Sequence, residues 1–129
     1  MTNFPISGLQ HDKQHGITVV ATAAIEAHRF IAYDGGYALG TPDLKDVQCI
    51  SETAAQPGEA FCGVTSYSYP VLASEALNRG DYVKPAADGS GRAAKGSAAE
   101  HSARALHAVS AGRLVECQLV YHANVPSGN

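Results

Sequence analysis

Apolar and polar positions alternate along this chain in short bursts separated by glycine, proline and aspartate. The clearest burst is Leu114 to His122. There Val115, Cys117, Leu119 and Tyr121 point one way while Glu116, Gln118 and His122 point the other, which is the period of a strand with one buried face. Ile17 to Ala21 is a β-branched run of the same kind, and Arg29 to Tyr33 resumes it. Asp46 to Thr53, built on Val47, Cys49 and Ile50, is a further strand. Ala60 to Tyr69 is the longest in the middle of the chain, with Tyr67 and Tyr69 on one face, and Pro70 interrupts it. Tyr82 and Val83 begin a strand that Pro85 ends or confines to an edge, and Arg104 to Val109 reads as another.

The connections carry turn chemistry. Asp34-Gly35-Gly36 and Asp88-Gly89 are tight-turn signals, because glycine tolerates the positive φ that hairpin turns require. Gln56-Pro57-Gly58-Glu59 is a Pro-Gly turn, Asn78 to Asp81 reverses on Gly80, and Ser110 to Arg113 turns on Gly112. Thr22 to His28 is alanine-rich and reads as one helical turn or a connection, and Ser74 to Leu77 as a single helical turn. Gly89 to Ser102 is low in complexity and reads as a turn and a flexible loop. Short strands at near-regular spacing predict a mainly β fold, a compact β-sandwich or barrel with tight Gly/Pro turns. A faint echo runs through it: Ile25 and Leu77, then a strand (Phe30 to Tyr33, Tyr82 to Lys84), then Asp34-Gly35 and Asp88-Gly89, recur in the same order. Residues alone do not make that a repeat.

Met1 to Gly16 follows neither periodicity. It carries Phe4, Ile6 and Leu9 among glycine and polar residues, as a frayed terminus does, or an arm that orders on a partner. The expected organisation is an extended N-terminal arm over 1–16, a β domain over 17–122 and a tail over 123–129.

Composition narrows the roles. At 129 residues the chain has one domain's length, and its net charge of -3 with scattered Lys and Arg gives no electrostatic footprint for nucleic acid or anionic membrane. No apolar run approaches the roughly 20 residues of a membrane helix, and the N-terminus lacks the pattern of a signal peptide. An origin in the cytoplasm is expected. Cys49, Cys62 and Cys117 are odd in number and read as small buried hydrophobes on strands rather than a disulfide framework.

Candidate chemistry is sparse. His11 and His15 are four apart, but Gly8 and Gly16 flank them and Asp12 stands where a zinc-protease motif needs glutamate. No Cys-x-x-Cys pair exists, so structural zinc is not expected, and no cofactor is expected either. Gly89-Ser90-Gly91 lacks the nucleophile-elbow pattern. Glu52 with Glu59 and Asp43 with Asp46 lie around turns and read as solvated. Cys62 paired with a distant histidine is the weakest candidate, a small hydrolase. The chain is expected not to be an enzyme.

Several segments together resemble a family. Arg29-Phe30-Ile31-Ala32-Tyr33-Asp34-Gly35, the Gly58-Glu59 turn, Gly80-Asp81-Tyr82-Val83, and Asp88-Gly89-Ser90-Gly91-Arg92-Ala93 occur in order. They are followed by Ala103-Arg104-Ala105-Leu106, Ala111-Gly112 and Leu114-Val115-Glu116-Cys117. Over residues 17 to 122 this resembles the small head-decoration, or capsid cement, proteins of tailed bacteriophages, except that Gly96 to Ser102 does not align. The resemblance implies a structural virion protein that binds the outer surface of an assembled capsid and stabilises it. Its partners would be the major capsid protein and copies of itself, as a homotrimer. Phe4, Ile6 and Leu9 of the arm, with Ile17 at the first strand, are the candidates for capsid contact. The alternative is a carbohydrate- or host-surface-binding β-sandwich of a virion, using Tyr67 and Tyr69 as a stacking platform.

Overall fold

Residues 16–125 are described in a computed structural model of the chain. The strands are β1 (Gly16–Val20), β2 (Phe30–Ala32), β3 (Val47–Ser51), β4 (Ala60–Val64), β5 (Ser68–Leu72), β6 (Tyr82–Pro85), β7 (Ala93–Lys95), β8 (Ala103–Ala105) and β9 (Leu114–Leu119). They form a four-stranded sheet ordered β1-β4-β3-β2 and a five-stranded sheet ordered β5-β9-β8-β6-β7. Every strand pairing is antiparallel, and no helix occurs among the described residues. This is the expected all-β sandwich of short strands.

Alternation along each strand builds the core. In the first sheet Phe30, Ala32 and Ile50 face the second sheet, where they join Val71, Val83, Val115 and Cys117 in one buried cluster. The opposite face of the first sheet, with Val19, Ile31, Cys49 and Phe61, is roofed by its own connections through Ala21, Ile25 and Ala55. Burying side chains of this size stabilises the fold by about 1.5–3 kcal/mol each. The outer face of the second sheet, with Tyr82, Lys84 and Arg104, is partly exposed.

The echo in the sequence is a structural repeat. Gly16 opposes Val64, and Ser68, 52 positions later, opposes Gln118, 54 positions later. Phe30 opposes Ile50 as Tyr82 opposes Arg104. The connections repeat the same bonds: Ile25 bridges Ala55 as Leu77 bridges Val109, and Gly58 N–H donates to Ala21 O as Gly112 N–H donates to Ala73 O. His28 and Gly80 occupy the same place, both at positive φ, and each donates its N–H to the end of a strand, at Ser51 O and Ala105 O. The halves differ chiefly in the hairpin after the second strand. It turns at Asp34-Gly35-Gly36 in the first half, and in the second it lengthens through Asp88-Gly89 into β7.

Several expected elements move. The strand expected over Ala60 to Tyr69 is two strands in different sheets, and Pro70 lies inside β5 rather than ending a strand. Leu72 N–H points away from β9 and donates to His28 O, so Pro70, two residues earlier, has its missing N–H on that same outer edge. No ladder bond is lost. The flexible loop expected over Gly89 to Ser102 contains β7, whose Ala93 is fully buried against Ala73. The helical turns expected in Thr22 to His28 and Ser74 to Leu77 are instead the roofs over each half's core, pinned by Ile25 and Leu77. Of the strand expected over Arg104 to Val109, β8 keeps the beginning, and the chain then leaves the sheet so that Val109 can meet Leu77. The turns at Gln56-Pro57-Gly58-Glu59, Asp34-Gly35-Gly36 and Asp88-Gly89 form as expected, with Asp88 Oδ1 accepting from both the N–H and the hydroxyl of Ser90.

Candidate interaction surface

Two sheets have four edge strands, and three of these edges are closed by the protein's own backbone. β2 receives Ala38 N–H at Phe30 O and donates Phe30 N–H to Gly91 O. β5 donates Leu72 N–H to His28 O at 3.0 Å, and Pro70 O accepts from His28 Nδ1, also at 3.0 Å. A carbonyl only accepts, so Nδ1 carries the proton. The His28 ring also stacks on Tyr69, with centroids 5.3 Å apart. β7 receives Ser74 N–H at Ala93 O, and Lys95 N–H donates to Glu75 Oε2.

The fourth edge, β1, differs. Ala21 N–H bonds Glu59 O, so alternation turns the main-chain groups of Thr18 and Val20 away from β4. No described residue bonds them. Val20 is 59% and Ile17 37% exposed. The strand is Gly-Ile-Thr-Val-Val, without a charge or a proline. Edges left to water normally carry such blocking residues.

Gly16, where β1 begins, opposes Val64, beside Thr65. Next to it runs a surface groove lined by Tyr33, Asp46, Val47, Thr65, Leu119 and Tyr121. Tyr121 is 82% exposed, and its hydroxyl donates to Thr65 O at 2.8 Å. The C-terminal segment is tied down nearby. Asn124 accepts from His101 N–H and donates to Asp46 Oδ1, and His122 stacks on His101 at 4.1 Å. Alternation in the sequence places Tyr121 on the buried face of the last strand. β9 ends at Leu119, so the ring lies on the surface instead.

Of the residues expected to contact a capsid, Phe4, Ile6 and Leu9 lie outside the described residues, and Ile17 is on the open edge. Tyr67 and Tyr69, expected on one face, have different surroundings. Tyr67 precedes β5 at φ 65 and is exposed, while Tyr69 packs against the core and on His28. Cys49 and Cys117 are fully buried, and burial pushes both thiols up to about 12; Cys62 is half-buried. Among the described residues no three His, Cys, Asp or Glu side chains group as a metal site would need, and His11 and His15 lie outside them. The acidic groups serve turns and ties. Hydrogen bonds from Gly36 N–H and the Lys45 ammonium lower the pKa of Asp34, and those from the Ser90 hydroxyl and N–H lower that of Asp88. Arg29, buried, donates to Ser90 O and so joins the first half to the hairpin of the second. Nothing local in the sequence marks it.

No family model and no curated protein matches the chain. Among solved structures it is similar to the N base of head fiber gp8.5 of bacteriophage phi29, with a TM-score of 0.59 and 17% identity. The match covers 81% of this chain and 92% of that one. At this identity the likeness is one of fold.

Proposed function

We propose that this chain is a structural protein of a tailed-phage virion that seats on the outside of the assembled capsid and stabilises it. The observation that carries the reading is the fold shared, over most of both chains, with the base of a phage head fiber. The ordered resemblance of the sequence to head-decoration proteins supports it from an independent side. The architecture suits such a role, with a two-sheet sandwich, short closed turns, an edge that the described residues leave open, and a groove lined by exposed tyrosines. The role needs no catalysis and no cofactor. In this reading the chain is made in the host cytoplasm and assembles as a homotrimer on the capsid exterior. Phe4, Ile6 and Leu9 bury themselves in the major capsid protein, and many weak copies sum to a firm coat.

The test is co-sedimentation with undecorated shells built from the capsid protein encoded alongside this chain, followed by heating. Binding that raises the shells' resistance to heat is expected. Folded protein that leaves the shells unbound overturns the proposal. Removing Met1 to His15 is expected to abolish binding while the body stays folded. The cut stops before Gly16 because that residue belongs to β1. Full binding by the truncated chain refutes the arm. The carbohydrate-binding alternative would rest chiefly on exposed Tyr67, because Tyr69 is partly buried against the core and stacks on His28.

A further inference from the structure

From the repeat we infer that the open edge of β1 is where a second copy of this chain docks, through its Asn78–Asp81 corner, in the way the first half's own corner docks on β5. The inference rests on the chain being a homo-oligomer, as proposed above, and adds which two surfaces meet.

The template lies within one chain. β1 and β5 are equivalent strands, as their matching registers against β4 and β9 show. The outer edge of β5 is closed by the corner at His28 of the preceding half. His28 O accepts from Leu72 N–H, and the His28 ring donates to Pro70 O and covers Tyr69. The equivalent positions on β1 are Val20, Thr18 and Ile17. Gly35 of the first hairpin packs against Val20 O, but the outward N–H of Val20, the outward main-chain groups of Thr18 and the exposed side chains of all three meet no equivalent corner among the described residues.

The corner that such an edge lacks exists elsewhere in the chain. Asn78–Asp81 repeats the geometry of the His28 corner: Gly80 stands at positive φ where His28 does, and it donates its N–H to Ala105 O as His28 does to Ser51 O. Asn78 and Arg79 are exposed. A Cβ placed on Gly80 would meet nothing within 4 Å, so the approach to this corner is open. Gly80 O already accepts from Arg104 Nε at 2.9 Å and has a second lone pair to offer. Among the described residues there is thus one edge without a corner and one corner without an edge.

The two junctions differ in one respect that fits their roles. Inside the chain the junction also buries Phe30, Ala32 and Ile50. The equivalent positions in the second half are Tyr82, Lys84 and Arg104, a polar face that a free copy can expose to water. Main-chain pairing is therefore kept between copies while permanent apolar packing is confined to the chain. Edge to corner is a heterologous contact, which continues from copy to copy until a ring closes.

The test is disulfide trapping with full-length protein, free in solution at high concentration and on shells. One copy carries Ile17→Cys and the other Gly80→Cys, the positions equivalent to the stacked pair Tyr69 and His28. Thr18→Cys with Arg79→Cys is the second pair, free of the strain of a side chain at positive φ. A cross-linked dimer in each mixture, absent from either variant alone, is the expected result. Cross-linking by Ile17→Cys or Thr18→Cys alone overturns the inference in favour of two β1 edges pairing with one another. No cross-link from either pair, in solution or on shells, overturns it too. If the chain nevertheless binds and stabilises shells, the inference fails while the proposed function stands. If copies cross-link but shells stay unbound, the function fails instead.

Discussion

Phe30 and Tyr82 occupy the same place in the two halves and should be very unequal in what they hold together. Phe30 is wholly buried between the sheets, whereas Tyr82 lies on the open face of the second sheet. The Phe30 strand cannot easily collapse into a void. Its backbone is held by β3 on one side and by Ala38 N–H and Gly91 O on the other. Phe30→Ala should therefore cost about 3–5 kcal/mol, the range for deleting a buried aromatic ring with little relaxation. Tyr82 is covered by the Arg104 guanidinium, 4.3 Å from its ring centre, and by His101 at 4.7 Å. Tyr82→Ala gives up an exposed cation–π contact of about 0.5–1 kcal/mol and a share of its burial, roughly 1–2 kcal/mol in all. Urea unfolding followed by circular dichroism reads both as shifts in midpoint at constant slope. Since domains of this kind have only about 5–15 kcal/mol to lose, Phe30→Leu serves as a milder second variant. Equal losses at the two positions, or a larger one at Tyr82, would refute the asymmetric packing of the halves.

Other expectations follow from single sites. Gly63→Ala places a Cβ 2.8 Å from the Cβ of fully buried Cys49, and overpacking of this kind costs about 1–3 kcal/mol; an unchanged urea midpoint would contradict it. Burial pushes the pKa of Glu100 up, but Thr41 N–H and hydroxyl and the Lys84 ammonium together bring it below 4.5. A folded-state value below the unfolded one gives stability that is present above pH 4.5 and lost as pH falls through the folded value. Glu100→Gln should therefore flatten the acid limb of stability against pH, and an unaltered limb would count against the tie. With their thiols held near 12 by burial, Cys49 and Cys117 should resist a thiol reagent in the native protein and react only in urea. Rapid native labelling of either would mean the core opens far more often than its packing implies.

The strands that alternation announces, above all Leu114 to Leu119, are legible because one side faces a core. The turns are legible because Gly35, Gly58 and Gly89 sit at φ near 90°, where other residues are strained. What escapes depends on partners distant in sequence. Ala93 and Ala94 read as loop because alanine carries no strand signal, and β6 with Ala73 makes them a strand. Pro70 reads as a break because the direction of its missing N–H follows from pairing with β9. Buried Arg29 is satisfied by Ser90 O, 61 residues on. For the interaction surface, Ile17 is visible as an apolar residue at a strand start. That its strand is the open edge follows only from the order of the sheet.

The joint between the halves is short, running from Thr65 to Tyr67 between β4 and β5. Each side of it holds a whole sheet, and what crosses it is side-chain packing around Phe30 and Ile50 together with scattered hydrogen bonds, among them those of His28 and Arg29, Phe30 N–H to Gly91 O, Thr41 to Glu100 and Asn124 to Asp46. A nick at Tyr67, which is 61% exposed, would sever no sheet. The two pieces would carry matching faces, one greasy and one made to receive it, so the molecule is in effect a dimer whose partners happen to be sewn together.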